Sequence, residues 1–359
     1  MMHRMLSLVT AVAILVSAGC HAQPTDTGKA TISANWKTEC VGRYQVSVPG
    51  EVEVALERVT RSQNGNPNKI RFDDDTIAHY SSGYTVYPYM DSKESLEFIN
   101  IVKKMHDKNR AERSEETQTS INAKYAYWMS FKDDLNKRDF AWVQPGFYTL
   151  YIYRDGHFFN FGDNFDKSDS PAKDTQQSIA AVNTTLKTFR PRALYELPKQ
   201  PGVCIPYGFI ADDGKADRSV AVTMRLKNHP DVEVFFHDKS GDLSSGSNEP
   251  KDNIEYFWTM MYRDFAKLLE ADSRKYYKVK MGAQDGTAMF VTITRHDGSK
   301  DYGYIAIVKG DPTAATDTPS QMLYVIRTAK RAKGKPVSKD ELKDIAERIT
   351  VSVKRHAVQ

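Results

Sequence analysis

Cysteine is scarce in this 359-residue chain, which has three, at positions 20, 40 and 204. So few cysteines exclude a small scaffold held together by many disulfides. No two of them are spaced as CxxC and no HExxH segment occurs, so the local spacings typical of zinc ligands are missing. We therefore expect neither a metal nor a cofactor.

An excess of one charge is also missing. Residues 1–19 contain one charged residue, Arg4, so their removal lowers the formal net charge from +4 to +3. A dedicated nucleic-acid-binding protein shows a clustered basic excess instead. This balance argues against nucleic acid as a partner.

Motifs of catalysis are absent. The sequence contains no phosphate-binding loop, no GxGxxG and no GxSxG turn, and its nine histidines are scattered. The run Asp73-Asp74-Asp75 lacks the spacing of an EF-hand and is more typical of a solvated turn. We expect no enzyme and no catalytic residues, although a site assembled from distant residues leaves no local motif.

Long apolar runs are limited to one segment near the start. Met5–Val16 is apolar except for two hydroxyl residues and follows a basic residue, which is the pattern of a signal peptide over residues 1–19. It is too short to cross a membrane as a helix. Export to the periplasm is the expectation, with residues 20–36 as a polar tether.

Cys20 follows small residues in the segment Val16-Ser17-Ala18-Gly19-Cys20, which resembles a bacterial lipobox. Lipid attached to Cys20 would hold the protein on a membrane, and the lack of an acidic residue after it indicates the outer membrane. The alternative is ordinary cleavage after Ala22 with no lipid.

The remaining chain repeats one order of elements: strands, a helix, more strands and a closing helix. We predict an α+β fold of two tandem related domains, each a mainly antiparallel sheet packed by two helices. The predicted bounds are 37–192 for the N-terminal domain, 193–202 for a proline-rich linker and 203–359 for the C-terminal domain.

Helical spacing of apolar residues predicts two long and two closing helices. The first long helix covers 92–109 and the second 252–270. Their predicted buried residues are Leu96, Ile99, Val102 and Met105 in the first, and Ile254, Phe257, Trp258, Met261, Phe265 and Leu268 in the second. The last closing helix begins with a capping box, Ser338 to Glu341.

Two groups of residues have alternative interpretations. Cys40 and Cys204 stand at the start of the two predicted domains and either form a disulfide or remain separate buried thiols. A tyrosine-rich segment either forms a partner interface or packs as an ordinary strand with its ring edges in water. Its candidate interface residues are Tyr80, Tyr84, Tyr87 and Tyr89.

The openings of the two halves, Glu39–Pro49 and Gly202–Ile210, resemble the type VI secretion immunity proteins cognate to group-four lipase effectors. The resemblance covers about residues 36–354. It implies tandem α+β domains, periplasmic export and steric inhibition of a phospholipase toxin effector as the partner, with no catalytic residue. The alternatives left open are an envelope lipoprotein that binds a small ligand or assists envelope assembly, and an envelope enzyme.

Overall fold

The computed structural model describes residues 35–58, 70–78, 84–116, 127–130, 138–241, 249–262 and 266–356. These residues form an α+β fold with mainly antiparallel sheets, which confirms the predicted class. The signal peptide and Cys20 lie outside the described residues. None of the described helices is long and apolar enough to cross a membrane.

The N-terminal half of the chain, up to residue 192, contains a five-stranded sheet. Its order is β6-β10-β9-β8-β7, and every pair in it is antiparallel. The strands of this half are β1 (Trp36–Val41), β2 (Tyr44–Pro49), β3 (Val52–Val54), β4 (Leu56–Glu57), β5 (Ile70–Arg71), β6 (Thr85–Val86), β7 (Tyr127–Ser130), β8 (Phe140–Gln144), β9 (Phe147–Arg154), β10 (His157–Asn164) and β11 (Phe189–Pro191).

The C-terminal half is built on an eight-stranded sheet. Its order is β16-β18-β19-β20-β15-β14-β3, and β17 pairs with β18 beside β16. The strands of this half are β12 (Gly202–Ile205), β13 (Gly208–Ala211), β14 (Ser219–Leu226), β15 (Val232–Lys239), β16 (Ala266–Ala271), β17 (Tyr277–Met281), β18 (Gln284–Arg295), β19 (Lys300–Val308), β20 (Ser320–Arg327) and β21 (Lys354–Arg355).

Each large sheet has one helix on each face. The helices are α1 (Ser92–Glu116), α2 (Pro171–Thr188), α3 (Pro250–Tyr262) and α4 (Lys339–Ser352). On β9, Tyr151 packs against the core of α1, and Tyr148, three residues earlier, reaches α2. On β19, Ile305 belongs to the hydrophobic core under α3, and the hydroxyl of Tyr304 forms a hydrogen bond with a side chain of α4. Neighbouring strand residues point to opposite faces, so the helices lie on opposite sides.

The helix faces differ in part from the prediction. On α1 the buried residues include Phe98 and Val102, whereas Leu96 and Met105 are about half exposed. The buried Ser95, a small polar residue, belongs to this face and shifts it away from the aliphatic positions. The prediction from apolar spacing that Leu96 and Met105 are buried is therefore wrong.

The second long helix is shorter than predicted. It ends at Tyr262, and residues 266–271 form β16, an edge strand paired with β18. Leu269 packs against the core under α3 while Leu268 is exposed, which is the alternation of a strand. Phe265 lies outside the described residues, and the side chain of Met261 is not described.

The first strands of the chain join sheets of the C-terminal half. Strand β3 is an edge strand of the eight-stranded sheet, paired with β14, and β2 pairs with β21 near the end of the chain. Residues 37–54, predicted to belong to the N-terminal domain, thus contribute to the packing of the C-terminal half. The domain bounds themselves stay a prediction.

A covalent bond and a buried ion pair lie where the first strands of the chain pack against the C-terminal half. Cys40 on β1 and Cys204 on β12 form a disulfide, and both residues are 1% exposed. Next to it, Glu39 pairs with Arg192, with side chains 2% and 1% exposed. We call these four residues, Glu39, Cys40, Arg192 and Cys204, the joint.

Asp238 lies beside the joint with most of its carboxylate out of water. Its Oδ2 accepts a hydrogen bond of 2.8 Å from the amide of Arg43. Gly42, with φ of +59°, leaves no space for a side chain, since a Cβ there would be 2.4 Å from the same oxygen. Burial raises the pKa of Asp238 to about 6, against the pull of Arg43 and Arg355 toward a lower value.

The raised pKa of Asp238 predicts a specific dependence of stability on pH. The folded protein holds this proton more tightly than the unfolded chain, so the contribution of Asp238 is full below its ordinary pKa of 3.8 and is lost as pH rises through 6. The stability of the parent protein relative to Asp238→Asn should fall by roughly 2–3 kcal/mol between pH 4 and 7. Urea unfolding of both proteins at several pH values measures this difference.

The Asn variant is the necessary control because the neighbouring His237 acts in the opposite direction. Burial lowers the pKa of His237 to about 4, which favours the folded state as pH rises. Both proteins carry His237, so its effect cancels in the comparison. Parallel pH profiles for the two proteins would contradict the prediction.

Candidate partner-binding surface

The described part of the chain offers little for chemistry. No group of three or more His, Cys, Asp or Glu there is placed to hold a metal ion. Ser219 Oγ and His237 Nε2 lie 2.9 Å apart on β14 and β15, which is the spacing of a nucleophile and its base. However, a histidine with a pKa of about 4 is a weak general base at neutral pH.

The structure separates the predicted tyrosine interface. Tyr80 lies outside the described residues, and Tyr84 is half-buried with its ring against Phe161. Tyr87 is 4% exposed and packs in the core under α1, so the prediction that it belongs to a surface is wrong. Tyr89 is 69% exposed and is the exposed member of the group.

Tyr89 is the first of three aromatic residues in contact, which we call the aromatic row: Tyr89, His157 and Tyr207. The centroids of Tyr89 and His157 are 6.3 Å apart in an edge-to-face arrangement. His157 and Tyr207 stack at 4.5 Å with an angle of 11°. Both arrangements are favourable for aromatic rings. The row begins in the N-terminal half and ends in the C-terminal half.

The backbone fixes the first two rings. Tyr89 lies against Gly156, where a Cβ would come within 2.2 Å of the ring, and the amide of Met90 donates to Gly156 O at 2.7 Å. His157 Nδ1 lies 2.8 Å from the carbonyl oxygen of Tyr87, so this nitrogen carries the proton and donates. Burial lowers the pKa of His157, which keeps the ring neutral at pH 7.

Tyr207 is held in a backbone conformation that tyrosine disfavours. It lies in the two-residue turn between β12 and β13 with φ of +55°, in the left-handed region that favours glycine. Such residues are retained when the surroundings determine them, and they cluster at functional sites. The His157 ring is part of these surroundings. It stacks on the Tyr207 side chain, a contact that a glycine at this position could not make.

Carboxylates surround the row. Asp73 is exposed and makes one long ion pair, 3.6 Å from Arg58. Asp155 is exposed in the turn that precedes His157. Both raise the pKa of His157 against the larger effect of burial, and Asp73 also helps to raise that of Tyr207. The row therefore lies in a negative potential.

Replacing Tyr207 with glycine should separate stability from binding. The turn gains a residue suited to its positive φ, while the stack on His157 is lost, so the free energy of unfolding should change by less than about 1 kcal/mol. Partner binding should weaken because His157 and Tyr89 lose their support. Chemical denaturation and an affinity measurement test this together, and a loss of several kcal/mol of stability would contradict it.

The sequence pattern identified one member of the row and missed two. His157 was one of nine scattered histidines, and Tyr207 lay within the opening Gly202–Ile210 without being singled out. The available signal was local: Asp155-Gly156 and Pro206-Tyr207-Gly208 are turn sequences that project the residues beside them. Their proximity depends on packing between residues fifty positions apart.

Comparisons with known proteins give a consistent result. Residues 196–354 match the family model of the Tle cognate immunity protein 4 C-terminal domain. No curated protein sequence matches the chain significantly. The match includes the second of the two openings, Gly202–Ile210, and agrees with the resemblance inferred there, whereas the first opening, Glu39–Pro49, lies outside the matched residues.

Three solved structures share the fold. The immunity protein TplEi of the type VI secretion system (T6SS) from Pseudomonas aeruginosa, in complex with an "L" peptide, aligns with a TM-score of 0.54 and 17% identity over 89% of this chain and 98% of that one. Its apo structure gives 0.56 and 16% over 92% and 100%. A Tle4–Tli4 complex gives 0.55 and 16% over 90% and 98%. At these identities the likeness establishes the fold.

Proposed function

Because residues 196–354 match the model of the Tle cognate immunity protein 4 C-terminal domain, we propose that this protein is a periplasmic immunity protein that binds a type VI secreted phospholipase effector and inhibits it sterically. The family match is the observation that carries the proposal. The solved neighbours add that a chain of this fold occurs in a complex named Tle4–Tli4.

The geometry fits an inhibitor that acts by contact. Tyr89 offers a large ring that the backbone of Gly156 already positions, so little side-chain entropy is lost on binding. The row crosses from one half to the other, and the joint ties the halves together beside it. A partner seated on the row would thus meet a preformed surface, and covering its active-site entrance requires no catalytic group.

The periplasm is the proposed location, with Cys20 as the lipid-anchored residue on the outer membrane. Support comes from the signal-peptide pattern and from the disulfide, because disulfides persist in oxidising compartments. An inhibitor anchored there would be concentrated near the membrane that a phospholipase attacks.

Co-expression in bacteria tests the proposal. A candidate phospholipase effector of the type VI secretion system is directed to the periplasm, with or without the full chain. We expect growth to be restored by the full chain and not by a version lacking residues 1–19, which stays in the cytoplasm. Cys20→Ser should move the protein from the membrane to the soluble periplasmic fraction. Failure of the full chain to restore growth, together with no complex on gel filtration, would contradict the proposal.

A further inference from the structure

We propose that the aromatic row and the carboxylates of Asp73 and Asp155 form a binding site for a cationic side chain, lysine or arginine, presented by the lipase effector. This inference rests on the proposed function and specifies the chemistry of the contact. It commits to one occupant, a basic residue of a protein partner.

The aromatic part of the site suits a cation. Tyrosine and other ring faces attract ammonium and guanidinium groups electrostatically within about 6 Å. Tyr89 is 69% exposed and keeps most of its ring open to a partner. Burial lowers the pKa of His157, against the smaller opposite effect of its hydrogen bond to the Tyr87 carbonyl, so burial disfavours a positive charge on this ring that would repel a cation.

The acidic part of the site supplies the charge complement. Asp73 is 83% exposed at its side chain, and its pairing with Arg58 at 3.6 Å is long enough to be exchanged for a better partner. Asp155 extends the negative potential to the Tyr89 side of the row, since it precedes Gly156. An apolar anchor from a partner would instead require an apolar pocket and would lose solvation of these carboxylates.

Among the described residues, two cations of this region, Arg58 and Arg225, pair closely with carboxylates other than Asp73. Arg225 pairs with Glu53 at 2.6 Å and with Asp74 at 2.9 Å, and Arg58 pairs with Asp75 at 3.0 Å. Asp73 is thus the carboxylate of this acidic turn with the weakest internal pairing. A partner cation placed between Asp73 and the row meets a carboxylate whose pairing with Arg58, at 3.6 Å, is long.

Two variants with matched controls test the site, with the co-purified lipase effector as the probe. Tyr89→Ala removes the exposed ring, and Tyr256→Ala removes another exposed ring, 53% exposed, on α3. Asp73→Asn removes one exposed charge, and Asp285→Asn removes another that is 87% exposed and likewise 3.6 Å from its partner, Lys280. All four positions are on the surface, so melting temperatures should stay close to the parent value.

We expect Tyr89→Ala and Asp73→Asn each to raise Kd about tenfold or more and the two controls to change it less than about twofold. Asp73→Asn should also weaken the dependence of Kd on salt concentration. Alanine scanning of the effector's Lys and Arg residues should then find one residue whose replacement raises Kd for the parent protein but not for Tyr89→Ala. This non-additivity in a double-mutant cycle shows that the two side chains interact.

The outcomes separate the two proposals. If the parent protein forms the complex but Tyr89→Ala and Asp73→Asn bind as the controls do, the site is refuted and the inhibitor function stands. If no effector cation couples to Tyr89, the cationic occupant is refuted. If the parent protein forms no complex with the effector, the proposed function fails and this site fails with it.

Discussion

Replacing Arg192 with alanine should lower the free energy of unfolding by about 3–5 kcal/mol, because the change leaves the buried Glu39 carboxylate without its partner. Both side chains are almost fully buried, at 1% and 2% exposure. A charge stranded in such surroundings costs far more than the net gain from pairing it. Urea unfolding at pH 7 measures the loss.

The guanidinium of Arg192 also donates hydrogen bonds to backbone carbonyls of three strands. It donates to Cys40 O at 3.0 Å on β1 and to Ile205 O and Gly208 O, both at 3.3 Å, on β12 and β13. Glu39 in turn accepts from the amide of Tyr195 at 2.6 Å. Buried carbonyls without donors are costly, so the truncation disrupts several strands at once.

A double-mutant cycle separates the ion pair from the general loss of packing. Glu39→Ala and Arg192→Ala should each be severe alone, and the double variant should be less destabilised than the sum of the two by several kcal/mol. Arg190→Ala is the control, because its pair with Glu196 is nearly 40% exposed and should be worth less than about 1 kcal/mol. If the stability losses of Glu39→Ala and Arg192→Ala simply add in the double variant, the two side chains do not stabilise the fold through their ion pair.

Removal of the disulfide should be the second large effect. The bond joins residues 164 positions apart, and cross-linking so long a loop restricts the unfolded chain by an amount worth about 5 kcal/mol in the chain-entropy model. Measured losses for native disulfides are typically about 2–5 kcal/mol. We expect a loss in that range for the variant Cys40→Ala/Cys204→Ala, which leaves no free thiol at the joint.

Unfolding in urea with and without reductant provides the control. The parent protein should lose stability when reduced, and the double variant should be indifferent to reductant. Since β1 and β12 also exchange backbone hydrogen bonds through Gly42 and Cys204, both 2.8 Å long, the reduced protein should keep its fold at low urea. Equal stability of the parent protein in both conditions would contradict the role given to the bond.

Features set by neighbouring residues could be predicted from the sequence. The capping box at Ser338 and Glu341 forms as predicted, because both hydrogen bonds join residues three apart. The turn at Asp155-Gly156 joins β9 to β10, since both residues tolerate positive φ. The antiparallel strands follow from runs of β-branched and aromatic residues between such turns.

Features set by distant residues could not be predicted. Alternation marks residues 52–54 as a strand but does not say that Val54 pairs with Met224. The cysteine spacing left a disulfide and two thiols equally open, and the structure joins them. The position of Tyr207 in the aromatic row could not be predicted, because its positive φ goes against the preference of its own residue type.

Titration of purified lipase effector with this protein tests the central proposal most directly. Phospholipid hydrolysis is followed as the protein is added, with the chain free of its signal peptide and its disulfide intact. We predict that hydrolysis falls linearly and stops at one equivalent, as expected for tight stoichiometric binding. Hydrolysis that continues unchanged at several equivalents of folded protein would contradict the account.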